Sequence, residues 1–211
     1  MAKLSLLGIT GAGKTTQASL IQQAYGIPRV TVGDLLRDNA DVPLDADKQT
    51  VPDGDNGIYR DAAAAPDDSY VQTVGDVCDR GENFPIPTLM EFLEPALRSR
   101  ESYVLDGFPR TVSHVDGVNP LDYDAVIYLD VDDATARERV AKRGRSDDRD
   151  ELFETKVSWQ RSGAEDVMAV YRDRDDTDVY RVDGDSGRGP GEIFAADIKS
   201  IVDQYTAEVD I

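Results

Sequence analysis

Gly8-Ile9-Thr10-Gly11-Ala12-Gly13-Lys14-Thr15 is the stretch from which the rest of this chain is read. It satisfies G-x-x-x-x-G-K-[ST] in full. Before it stands a short apolar run, residues 3–8. After it, residues 14–25 show helical periodicity, with Leu20, Ile21 and Ala24 on one side. Strand, glycine loop and helix form the context in which the pattern has physical meaning. Glycines let the backbone wrap closely, so that successive N–H groups point at phosphate oxygens. The following helix turns the positive end of its dipole toward the same anion. Lys14 adds a full charge for the outer phosphates, and Thr15 and Thr16 each offer a hydroxyl to Mg²⁺. Gly11, Ala12, Gly13, Lys14, Thr15 and Thr16 are thus expected to bind the phosphates of ATP. The alternative is a glycine-rich turn without a ligand.

Working outward, short strands are expected at residues 28–32, 102–105, 125–131 and 179–182. Helical patterns begin at 33–39 and run over 69–79, where Gly81 is the stop, and over 87–98. Others cover 133–143, capped by Asp132 or Asp133, then 146–172 with a break near Gly163, and 192–208 after a Gly/Asp loop at 183–191. Strands alternating with helices imply βαβ units: an α/β fold with a P-loop NTPase-type parallel sheet and helices on both faces. Ligands of such folds lie at the carboxyl ends of the strands. Residues 41–68, rich in Asp, Pro and Gly with four consecutive alanines, have weak periodicity and read as an inserted, loosely structured segment.

The 211 residues suit one domain, or one domain with mobile subdomains inserted in it. No stretch approaches the ~18–20 apolar residues that cross a bilayer, so no membrane partner is expected. The apolar run at residues 4–7 is too short for a signal peptide, and a cytoplasmic location is expected. Cys78 and His114 are the only residues of their kinds, which excludes an internal disulfide and argues against a zinc site of Cys and His. The net charge is −19, from 32 aspartates and 10 glutamates against 17 arginines and 6 lysines. Such a surface repels phosphate backbones, so nucleic acid is not an expected partner. The aspartates run through the whole chain instead of forming one block. This favours a surface adapted to high salt over an acidic tail or docking face.

Three further segments narrow the chemistry: Thr31-Val32-Gly33-Asp34-Leu35-Leu36-Arg37, Asp106-Gly107-Phe108-Pro109-Arg110-Thr111, and Arg139 with Arg143-Gly144-Arg145-Ser146-Asp147-Asp148. With the glycine loop they resemble, in order and over most of the chain, the adenylate kinase family of nucleoside monophosphate kinases. The resemblance implies Mg²⁺-dependent phosphoryl transfer from ATP to a nucleoside monophosphate, most simply AMP. Such a reaction brings two polyanions together, so it is governed by positioning and charge neutralisation, for which the arginine fork is suited. The resemblance gives Arg37 and Arg110, with Gly107, Phe108 and Pro109, to the acceptor phosphate. It gives Arg143 and Arg145 to a lid over the triphosphate, with Arg139 in or beside it. Asp106 is given to Mg²⁺, together with Thr15 and partly through water. The implied layout is a single domain with core 1–30, 81–138 and 157–211, an acceptor segment 31–80 and a short lid at about 139–156. A monomer and small-molecule nucleotide partners are expected.

The sequence also departs from the family pattern. Val32 and His114 stand where family members read the acceptor base; valine offers no hydrogen bond, and neutral imidazole one donor and one acceptor. For His114, base contact and a place on a helix surface are both open. Lys156 falls where a further catalytic and acceptor-binding arginine is expected; it keeps the charge but not the fork, and Arg161 stands nearby. The lid is short, and without cysteine pairs it holds no zinc. Residues 41–68 enlarge the acceptor segment by about twenty residues, a length that marks function or disorder. Two other readings follow: a kinase of this fold for another monophosphate (CMP, UMP or dTMP) or another small acceptor, and a nucleotide-binding module without catalysis.

Overall fold

The computed structural model describes residues 1–44, 73–80, 86–98, 100–117, 121–144 and 150–206. Expectations for residues 45–72, for Gly81, for Arg145, Asp147 and Asp148, and for the chain beyond 206 lie outside the described residues.

Five strands form one parallel sheet: β1 (Lys3–Leu7), β2 (Arg29–Thr31), β3 (Tyr103–Asp106), β4 (Ala125–Asp130) and β5 (Asp178–Asp183), in the order β2-β3-β1-β4-β5. The central strands are buried on both faces, as in a sheet covered on both sides. Alternate residues feed two separate cores. Leu4, Leu6, Ala125, Ile127 and Leu129 belong to one, and Leu7, Leu105, Val126 and Tyr128 to the other. The first core is closed by α1 (Lys14–Tyr25), α6 (Asp133–Arg143), α8 (Pro190–Ile193) and α9 (Lys199–Thr206) through Ile21, Val140, Ile193 and Val202. The second is closed by α2 (Val32–Asp38), α3 (Val74–Arg80), α4 (Ile86–Leu97) and α5 (Val112–Gly117) through Leu36, Val77, Leu93 and Val115.

The long helix α7 (Asp150–Arg172) serves both. Phe153 and Val157 pack in the first core, while Ala164, Val167, Met168 and Tyr171 pack in the second. Between them the helix passes over the carboxyl ends of the strands. Gln160 there meets Thr10 after β1, Arg161 meets the Val131 carbonyl after β4, and Gly163 meets the Arg110 carbonyl after β3.

β1 lies between β3 and β4, so the chain builds one side of the sheet first and then crosses to the other. The crevice at that reversal opens beyond β1, where the glycine loop begins. Register sets Asp106 level with Leu6, at the end of β3 beside the loop.

Several expectations need correcting. α7 does not break at Gly163; the glycine is there because Arg110 is close, a Cβ lying 2.3 Å from its carbonyl oxygen. α5 was not foreseen, since six residues carry too little periodicity. The C-terminal helix is three pieces, with a π-helical stretch at Phe194–Ile198 between α8 and α9. Pro43 and Thr73 bridge antiparallel, and the Val74 N–H donates to the Val42 carbonyl at 3.0 Å. The chain therefore leaves at 44 and returns at 73 from one place. Among the described residues, no helix is long and apolar enough to cross a membrane.

Glycine costs a helix interior about 1 kcal/mol relative to alanine. At Gly163 the contact with Arg110 reverses that preference. Gly163→Ala is expected to destabilise the protein by about 1–3 kcal/mol in denaturant unfolding, as overpacking does. A more stable variant would contradict this packing.

Candidate active site

The loop is shaped by what presses on it. Gly8 has φ +142° and Gly11 φ +83°. A Cβ on Gly8 would lie 2.7 Å from the Leu129 carbonyl oxygen, and one on Gly11 would lie 2.4 Å from that of Ala136. β4 and α6 therefore hold the loop against the start of α1. The N-cap of α1 is Gly13, which has no side chain to cap it, and its first turn carries no acid, so the positive end of the helix is turned to the crevice.

Lys14 Nζ donates to the Gly8 and Ile9 carbonyls at 2.8 and 2.9 Å, which lays the ammonium along the loop. Thr15 Oγ1 donates to Asp106 Oδ2 at 2.6 Å, and Thr31 Oγ1 lies 3.4 Å from the same oxygen. Asp106 is only 3% exposed. Of the two threonines, Thr15 is the one on Asp106, while Thr16 is exposed. A hydroxyl and a carboxylate side by side make a hard-oxygen pair of the kind that suits Mg²⁺.

A cleft of about 450 Å³ takes its walls from Gly11, Ala12, Gly13, Lys14, Thr15 and Thr16, and from Arg139 and Arg143 of α6. Arg143 Nη2 is 3.4 Å from Thr10 Oγ1, and Arg139 Nη2 donates to the Gly184 carbonyl at 2.9 Å. The two arginines are four residues apart and share a face of α6. Gln17, which the sequence did not single out, ties α1 to the far wall by donating to the Pro190 carbonyl at 3.1 Å.

A second, smaller cavity of about 40 Å³ separates Lys14 and Gly8 from Gly107, Pro109 and Arg110. Arg110 Nε donates to the Gly107 carbonyl at 2.9 Å, and its guanidinium lies 5.9 Å from the Trp159 ring centre. The segment beneath is anchored by Ser5 Oγ, which donates to the Phe108 carbonyl at 2.8 Å. His114 is buried, not on a helix surface: its ring stacks on Phe108 at 5.1 Å. His114 Nδ1 accepts the Arg110 backbone N–H at 3.2 Å, so the imidazole fixes the turn that presents Arg110.

The remaining candidates lie further out. Arg37 pairs with Asp34 at 2.5 Å and spreads over Gly33. Val32 is core. Lys156 is half-buried on α7, and neither cavity takes a wall from it. Arg161 lines neither cavity. It pairs with Asp133, lies 3.6 Å from Asp130, and donates to the Val131 carbonyl at 3.1 Å. Burial would lower its pKa, but the Asp133 hydrogen bond and the surrounding charges raise it.

The family described as an AAA domain matches residues 7–65. A protein named adenylate kinase from Parasynechococcus marenigrum (strain WH8102) is 30% identical over 181 residues, covering 82% of this chain and 86% of its own. One of the same name from Methylobacterium nodulans is 30% identical over 185 residues, covering 80% and 82%. Another from Natronomonas pharaonis is 27% identical over 231 residues, covering 95% and 97%.

Asp132 caps the helix that bears both cleft arginines, Oδ1 accepting the Thr135 N–H at 2.8 Å. A proton shared with the neighbouring Asp185 carboxyl, then the bond from the Thr135 N–H, holds its carboxyl below the ordinary value of 3.8. The folded state thus binds this proton more weakly than the unfolded chain does. The contribution of the Thr135 bond is complete above pH 3.8 and is lost as pH falls through the lower, folded value. Asp132→Ala is expected to lower the thermal midpoint near neutral pH, with the difference from wild type narrowing below pH 3.8. A difference that stays constant into acid would contradict this.

Proposed function

Because the chain belongs to the adenylate kinase family, we propose that it transfers the γ-phosphoryl group of ATP to a nucleoside monophosphate, with AMP the preferred acceptor and two ADP the products. The observation that carries this is the cavity of about 40 Å³ with Lys14 on one wall and Arg110 on the other. A donor phosphate on the loop and an acceptor phosphate on Arg110 would face each other across it.

In this reading the backbone N–H groups of Gly11, Gly13, Lys14 and Thr15 cradle the donor phosphates, that of Ala12 being held by the Ile9 carbonyl at 3.1 Å, with Lys14 on the outer phosphates and Arg139 and Arg143 closing the cleft side. Thr15 and Asp106 would hold Mg²⁺, partly through water, and the ion would neutralise charge on the phosphates. Arg110 orients the acceptor phosphate, and Arg37 exchanges Asp34 for it when the acceptor arrives. Arg145 and Lys156 belong to the proposal as lid cations. The acceptor dianion is its own nucleophile: one P–O bond forms as the bond to the bridging oxygen of ADP breaks, and no base is required.

A second reading, another nucleoside monophosphate as acceptor, is favoured by two residues. Val32 is in the core, and His114 Nδ1 is already held by the Arg110 backbone, so neither matches the base-reading role expected of its position.

A coupled assay over AMP, CMP, UMP, GMP and dTMP, in high salt with Mg²⁺, tests the reading. Fastest turnover is expected with AMP. Fastest turnover with another monophosphate selects the second reading. ATP binding in calorimetry without turnover on any acceptor would contradict both and leave a binding module. Arg110→Ala is expected to reduce kcat/KM for the acceptor at least about tenfold more than it reduces ATP affinity. Equal losses would contradict the assignment of Arg110.

A further inference from the structure

Gln160 touches both halves of the site. It lies where α7 crosses the carboxyl ends of the strands, and its Oε1 accepts the Thr10 backbone N–H at 2.6 Å. That bond settles the orientation of the amide. A backbone N–H only donates, so the oxygen is the atom facing the loop, and Nε2, with two hydrogens, is turned from it. Among the described residues, Nε2 has no protein acceptor. It is also not a polar atom sealed in the core. Gln160 is part of the wall of the cavity of about 40 Å³ that Lys14 and Arg110 share.

The amide is held on both sides. One residue before it, Trp159 lies under the Arg110 guanidinium at 5.9 Å. Three residues after it, Gly163 packs against the Arg110 carbonyl with no room for a Cβ. α7 is thus locked to the turn that bears Arg110 by its backbone and to the donor loop by Gln160. A donor fixed in this way needs no reorganisation when charge moves past it, which is the condition under which a neutral hydrogen bond contributes most to a transition state. Thr10 N–H, in turn, is committed to Gln160, so the loop's anion cradle starts at Gly11.

Resting on the phosphoryl-transfer reading, we propose that Gln160 is a further catalytic residue, its Nε2 donating to an oxygen of the phosphoryl group in transit between Lys14 and Arg110. The phosphorus–oxygen bond to the acceptor forms as the bond to the bridging oxygen of ADP breaks. Gln160 keeps its protons throughout and stabilises the equatorial charge.

Two variants of the full chain separate this role from a simple tether. Gln160→Leu removes both polar atoms. Gln160→Glu keeps an oxygen for the Thr10 N–H but replaces the donor. Both are expected to lower kcat by roughly 10- to 100-fold, with KM for ATP within about threefold. Both should also weaken ADP–aluminium fluoride binding in the presence of the acceptor by a similar factor, and leave ADP binding unchanged. Should Gln160→Leu fail to fold, Gln160→Glu alone decides. Wild-type kcat in Gln160→Glu, or an equal loss of ADP binding and turnover, overturns the assignment. No turnover by the wild-type chain with any monophosphate defeats the functional reading and this assignment together. Wild-type turnover with unaltered variants defeats the assignment alone.

Discussion

No side chain fits at Gly11: a Cβ there would lie 2.4 Å from the Ala136 carbonyl oxygen, in the first turns of α6. Gly8 is under the same constraint from Leu129 at the end of β4. These two approaches determine the course of the loop, and the loop determines the site. Its bend aims the start of α1 into the crevice, sets Thr15 on Asp106, and lays Lys14 over the Gly8 and Ile9 carbonyls. The arrangement is built by packing, so the donors are in place before any anion arrives.

α7 extends the same logic across the crevice. A helix that begins in one core and ends in the other must pass over the strand ends, and its middle turns become the bridge between loop and Arg110. Gly163 allows the helix to come close, Trp159 supports the guanidinium, and Gln160 bonds the loop. The distance between donor and acceptor phosphates would therefore be set by one rigid element anchored in both cores. Arg161, on the same turns, faces the other way and binds the end of β4.

Features with a strong local pattern were legible in the sequence. The loop, the alternating strands and helices, and a cap at Asp132 or Asp133 follow from spacing and residue type, while Arg139 and Arg143 came through the family resemblance. What escaped depends on contacts between distant segments. Gln160 is one polar residue in a helical stretch and reads as surface until Thr10, 150 residues away, is seen beside it. Gly163 reads as a breaker because the carbonyl it accommodates belongs to another element. His114 was ambiguous because burial against Phe108 is not encoded in its own neighbours. Arg161 looked available because its carboxylate partners lie on β4 and at the start of α6.

The central claim is that one loop and one arginine face each other as donor and acceptor sites. A crystal structure with Mg²⁺, a non-hydrolysable ATP analogue and AMP tests it most directly. The account predicts the β- and γ-phosphates over the backbone N–H groups of Gly11, Gly13, Lys14 and Thr15, and the AMP phosphate on Arg110 across the cavity from Lys14. A triphosphate bound away from the loop, or an AMP phosphate remote from Arg110, would contradict it.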